Sequence, residues 1–128
     1  MRIEEWPAPT MATWLARTRE LQRDYFGGDP AELPPDEKVA FVRNMVLGLM
    51  VEATEVLGVV KNWKWWRTSA VAFDRAEYLE ELVDVVHFAG ALAVMAGITD
   101  QEWQEAYARK TEVVKLRARA KAEAGAAQ

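Results

Sequence analysis

The chain has 128 residues, a formal net charge of -4, 51% hydrophobic and 28% charged residues, and no cysteine. This length predicts a single domain over residues 1–128 with its own core, and the composition excludes disorder beyond the ends. The acidic balance argues against a nucleic-acid polymer as partner, and without cysteine there is no disulfide, thiolate zinc site or thiol nucleophile.

The lead Met1-Arg2-Ile3-Glu4-Glu5-Trp6-Pro7 lacks the apolar stretch of a signal peptide. The longest apolar run, Val85 to Ile98, is interrupted by His87 and is too short to span a bilayer. The expectation is a cytoplasmic protein without a membrane partner. Thr10 can cap a first helix from Met11 to about Phe26, with Met11, Trp14, Leu15, Leu21 and Tyr25 as its apolar stripe, and Gly27-Gly28 ends it. A proline-bearing loop follows, and Asp36 is the expected N-cap of a long second helix reaching about Lys61. The later half of that helix, Met45 to Val60, is apolar on nearly every side and should be buried all round. Lys61 to Ser69, with three tryptophans and three cations, reads as a loop or frayed helix end. Asp74 caps a third helix from about Arg75 to Ala96, closed by Gly97. Thr99 and Glu102 form a capping box for a fourth, reaching about Ala120, with a frayed tail from about residue 121. The fold predicted is all-α, a bundle of about four helices. Its apolar excess is completed by oligomerisation.

Two acid pairs stand out from this frame. Glu52 and Glu55 lie at i and i+3 within Leu49-Met50-Val51-Glu52-Ala53-Thr54-Glu55-Val56-Leu57, and Glu81 and Asp84 repeat the spacing just before Val85-Val86-His87-Phe88. Each pair leaves one face of its helix. Burying carboxylates among apolar neighbours is unfavourable unless something neutralises them. Four oxygen ligands suit Mg²⁺ or Mn²⁺ rather than zinc. Such ions hold polyphosphates and activate water for in-line attack. Lys61, Lys64 and Arg67 can neutralise phosphate oxygens, and Trp63, Trp65 or Trp66 can stack on a base. Together these residues describe a nucleoside triphosphate site.

The order of these motifs resembles the all-α NTP pyrophosphatase superfamily, which includes the MazG proteins and the dimeric dUTPases. Its E-x-x-E and E-x-x-D motifs match Glu52-Ala53-Thr54-Glu55 and Glu81-Leu82-Val83-Asp84. Trp63-Lys64-Trp65-Trp66 resembles the W-K-x-W segment of the dimeric dUTPase branch, and Asp84-Val85-Val86-His87-Phe88 its D-x-x-H-F. Tyr107-Ala108-Arg109-Lys110 and Arg117 continue the likeness, which covers roughly residues 40–118. Val114 and Ala118 depart from the family's Asn and Gln, which leaves the base and sugar preference open.

The resemblance implies hydrolysis of a nucleoside triphosphate to monophosphate and diphosphate, with dUTP the first substrate to consider and another dNTP next. It implies Glu52, Glu55, Glu81 and Asp84 as metal ligands, with Glu55 ahead of Glu52 as the group that orients or deprotonates the attacking water. Lys64, Lys110 and Arg117 become phosphate contacts. Trp63 and Trp65 become base-pocket residues, and Gln22 a base contact from the first helix. The oligomer expected from the apolar helices is a homodimer or homotetramer.

Plainer readings stand beside these. Acid pairs on helices are commonly solvated faces, which suits Glu77 and Glu80. Glu80, also spaced to meet Asp84, competes with Glu81. His87 reads as a core or interface residue, and Trp6, Trp14 and Trp103 as structural. Gly48, Gly58 and Gly90 suggest close helix approach. A non-catalytic helical interaction module would pair the acids with Lys or Arg, yet the apolar halves of the second and third helices contain none. A carboxylate-bridged di-iron bundle needs two Glu-x-x-His motifs, and the chain has a single histidine.

Overall fold

A computed structural model describes residues 10–60, 63–66 and 74–127. The expectations for Trp6, Lys61 and Arg67 lie outside these residues. Among the described residues there are four α-helices and no strand: α1 (Trp14–Tyr25), α2 (Pro35–Val59), α3 (Arg75–Met95) and α4 (Asp100–Ala126). The all-α expectation holds. No single helix among the described residues is long and apolar enough to cross a membrane.

Local sequence accounts for most helix ends. A one-turn 3₁₀ helix, Met11–Thr13, precedes α1. Gly27 and Gly28, at φ 94° and 117°, reverse the chain after α1 in a conformation that side-chain-bearing residues rarely adopt. The Asp29 carboxylate accepts from the Ala31 amide and from Arg19. It thereby opens a second 3₁₀ turn, Pro30–Glu32. α2 starts one residue before the expected cap. Pro35 occupies its first position, where the missing N–H costs nothing, and Asp36 lies inside the first turn with Glu37, beside the positive end of the helix. Asp74 caps α3 as expected, accepting from the Ala76 and Glu77 amides. Thr99 and Glu102 form the predicted reciprocal box on α4. α4 then runs to Ala126, past the tail expected from about residue 121, because its alanine-rich end favours helix.

α2 and α3 form an antiparallel hairpin, and α1 lies across α3. The buried cluster is small: Leu15 from α1 with Ala93 and Val94 from α3, flanked by Trp14 and Ile98. Gly90 lets α1 approach closely, since a Cβ there would stand 2.9 Å from both Trp14 Nε1 and Thr18 Oγ1. α4 departs from α3 at 110°. It packs on α1 through an edge-on contact between Trp103 and Trp14, with ring centroids 5.0 Å apart. The Asp100 carboxylate, in the first turn of α4, accepts from the Leu15 and Ala16 amides at 2.8 and 3.1 Å. The orphan amides at the start of α1 are thus met by α4.

The expectation that α2 is buried all round fails within one chain. Val46, Leu47, Met50, Val51 and Leu57 are all at least 40% exposed. The exposed side of α4 likewise carries Tyr107, Val114 and Leu116. α4 spans about 40 Å and α1 about 18 Å, so most of α4 has no packing partner among the described residues.

Candidate metal centre

The hairpin of α2 and α3 brings the acid pairs together. Gly48, Glu52, Glu55 and Val59 follow one another at spacings of four, three and four residues, which is one stripe of α2. Glu81, Asp84 and Phe88 form the matching stripe of α3. Antiparallel packing sets Gly48 against Phe88, so the acids one and two turns further along fall level with each other. Carboxylate oxygens of Glu52, Glu55 and Glu81 all lie within 4.8 Å of one another, a spacing that can hold a metal ion.

The electrostatics follow from that crowding. Glu52 Oε2 and Glu81 Oε2 are buried and meet no hydrogen-bond partner. Loss of water around Glu52 pushes its pKa up from the ordinary carboxylate value, and the charges of Glu55, Asp84 and Glu81 push it further. Glu81 is raised by the same means: loss of water first, then the charges of Glu55, Asp84 and Glu77. No Lys or Arg forms an ion pair with these acids among the described residues. A buried carboxylate oxygen without a donor is costly, and a cation bound to the triad would satisfy both of them.

Each predicted residue now has a place. Glu81, rather than its neighbour Glu80, belongs to the triad. Glu55 is its exposed member, not a buried acid, while Glu52 and Glu81 are half-buried. Half-buried Asp84 stands outside the triad, close enough for its charge to act on both Glu52 and Glu81. Trp63, Lys64, Trp65 and Trp66 lie in the segment after α2. Lys64 Nζ sits 5.5 Å from the centre of the Trp63 ring. Trp66 makes T-shaped contacts with Trp63 and Trp65, and Trp65 is 88% exposed. Lys110 and Arg117 are exposed on α4, about 15 and 26 Å along the helix from Asp100. They share a stripe with Trp103, Tyr107 and Val114, and the chain does not join either to the acids by a hydrogen bond or ion pair among the described residues.

The sequence reading missed a crevice. Gln22 lines an open space of about 480 Å³ between α1, α2 and α3, walled also by Phe26, Phe41, Met45, His87, Phe88 and Ala91. No local motif marks it, because its walls come from three helices. Gly58, expected to mark a close approach, has open space where its Cβ would be.

A family profile described as dUTPase matches residues 29–124. The chain belongs to the dUTPase family. The match covers about three quarters of the sequence, including both acid pairs, the tryptophan segment and nearly all of α4, and it leaves out α1 with Gln22. No curated protein and no solved structure matches the chain. With its all-helical architecture, this dUTPase-family chain is placed among the all-α NTP pyrophosphatases, in the branch that resembles the dimeric dUTPases. At family level the chemistry is nucleoside triphosphate hydrolysis.

Proposed function

We propose that this dUTPase-family protein is a Mg²⁺-dependent pyrophosphohydrolase that converts a deoxynucleoside triphosphate and water to the monophosphate and diphosphate. dUTP is the first substrate, and Mn²⁺ can replace Mg²⁺. The reading is carried by the two donorless carboxylate oxygens of Glu52 and Glu81, held in one triad by two helices. Oxygen-only ligands in a partly open site suit a hard cation that keeps positions for water and phosphate. When bound, that ion offsets phosphate charge and lowers the pKa of a water.

Glu52, Glu55 and Glu81 hold the ion, with Asp84 beside them as a fourth ligand. Glu55, on the solvent side of the triad, orients the attacking water and takes its proton. Attack on the α-phosphorus breaks the anhydride bond to the β-phosphate, and diphosphate leaves. Lys64 neutralises phosphate oxygens, the faces of Trp63 and Trp65 stack on the base, and the Gln22 amide reads a base edge from the crevice. Such a reaction belongs with the cytoplasmic nucleotide pool.

Lys110 and Arg117 are assigned to phosphate in the site of a second copy. The support is geometric. They lie on the stretch of α4 that projects from its own chain, on a stripe with exposed Tyr107 and Val114. The exposed apolar side of α2 provides a surface for such a copy to cover, in a homodimer or homotetramer. A non-catalytic module with paired acids draws no support from the triad, which has no cation partner among the described residues.

The deciding experiment is a product assay with each canonical dNTP, dUTP and the ribonucleotides, with Mg²⁺ or Mn²⁺ and with EDTA. Monophosphate plus diphosphate, lost in EDTA and fastest with dUTP, is expected. Release of inorganic phosphate would place the cleavage at the wrong bond. No turnover of any nucleotide would overturn the reading.

A further inference from the structure

We infer that Gly48 is a positioning residue for the metal centre: its missing side chain lets the Phe88 ring seat against α2, and this contact sets the separation of the two acid pairs. The inference rests on the reading of the triad as a metal site.

Glycine is the poorest helix former apart from proline, and α2 contains two, Gly48 in its interior and Gly58 in its last turn. Their surroundings differ. A Cβ at Gly58 would meet nothing within 4 Å. A Cβ at Gly48 would overlap the Phe88 ring, 2.7 Å from Cζ and 2.8 Å from Cδ1, with Cε1 nearer still. Carbon atoms in ordinary contact stand about 3.5–4.0 Å apart. A methyl group at Gly48 therefore forces the ring or the helix to withdraw by about 1 Å.

The acids lie one helical turn from this contact on both sides. Glu52 follows Gly48 by four residues, and Asp84 precedes Phe88 by four. Metal sites hold their ligand distances to within about 0.2 Å. A withdrawal several times that size at the adjacent turn pulls apart the oxygens of Glu52, Glu55 and Glu81, which now lie within 4.8 Å of one another. Gly48 touches neither ion nor substrate, so it acts only through the spacing of the two helices.

The test uses Mn²⁺ alone, titrated into the nucleotide-free full-length protein and followed by the loss of the free-ion EPR signal. Gly48→Ala is expected to weaken Mn²⁺ binding by about 10-fold or more, the size of effect seen when ligand-orienting groups are removed. Gly58→Ala, an equal change on the same helix, should leave the affinity unchanged. Adding Phe88→Leu to Gly48→Ala makes room for the new methyl and should restore most of the affinity. Wild-type protein that binds no Mn²⁺ removes the metal reading and this inference with it. Wild-type binding matched by a folded Gly48→Ala variant leaves the metal site standing and overturns the role of Gly48. If Gly48→Ala does not fold, the double variant decides. Folded protein with recovered affinity supports the inference. A double variant that stays unfolded, or folds without Mn²⁺ binding, overturns it.

Discussion

Glu52 and Glu81 are each held by the fold in a place where the charged carboxylate is disfavoured. Both folded pKa values lie above the ordinary value of 4.5. The folded chain therefore binds protons more tightly than the unfolded chain, and stability falls as pH rises from about 4.5 through the raised values. Metal-free protein is expected to melt higher at mildly acidic pH than at neutral pH. Glu52→Gln removes part of this penalty. Its metal-free form should melt above the wild type at neutral pH, with the difference shrinking on acidification. The same variant should lose Mn²⁺ binding and hydrolysis. Melting curves across pH, with and without ion, check all three outcomes, and a variant that keeps both metal and turnover removes Glu52 from the site. The candidate acids were legible in the sequence as pairs at i and i+3 among apolar residues, and the hairpin brings oxygens of three of the four within 4.8 Å of one another. Their exposure was not. The solvent side of the triad depends on how α3 meets α2, which placed Glu55 outward and chose Glu81 over Glu80.

At the scale of elements, the local caps were legible and the remote one was not. Asp74, Thr99 and Glu102 act on amides two or three residues away, so a short window of sequence contains the whole motif. Asp100 acts on Leu15 and Ala16, 85 and 84 residues away. It reads locally as an ordinary first-turn acid of α4. Asp100→Ala should cost about 1–2 kcal/mol, in the range for lost helix caps, measurable by urea denaturation. Because α1 carries Gln22, the nucleotide KM should rise in the same variant while Mn²⁺ affinity in the α2–α3 hairpin stays the same. The start of α2 was misjudged for a related reason. Asp36 has the chemistry of a cap, but Pro34 and Pro35 had already fixed the backbone where the helix begins.

For the whole molecule, hydrophobic patterning correctly announced a surplus of apolar surface but could not say where it would be left. The surplus lies on α2 and along α4, and a single chain leaves both open. If α4 reaches into a second copy, two separately inactive chains can repair each other. Glu52→Gln and Arg117→Ala proteins, unfolded together and refolded as a mixture, should recover about a quarter of wild-type activity. In a dimer with exchanged α4 helices, half the dimers are mixed and each has one intact site of two. Acids and α4 acting within one chain would give no recovery. Sedimentation of the mixture checks that the assembly has formed.

The antiparallel register of α2 and α3 also divides the chain by its tolerance to insertion. One residue added between Gly48 and Glu52 turns the acid by about 100° around the helix, away from α3. One residue added to the connection between α2 and α3, away from Trp63, Lys64 and Trp65, leaves both acid stripes in register and adds little loop-closure entropy, since even a doubling of length costs about 0.6 kcal/mol. Length variation in descendants of this sequence should therefore collect between the helices. The two blocks from Gly48 to Glu55 and from Glu81 to Phe88 should keep their count.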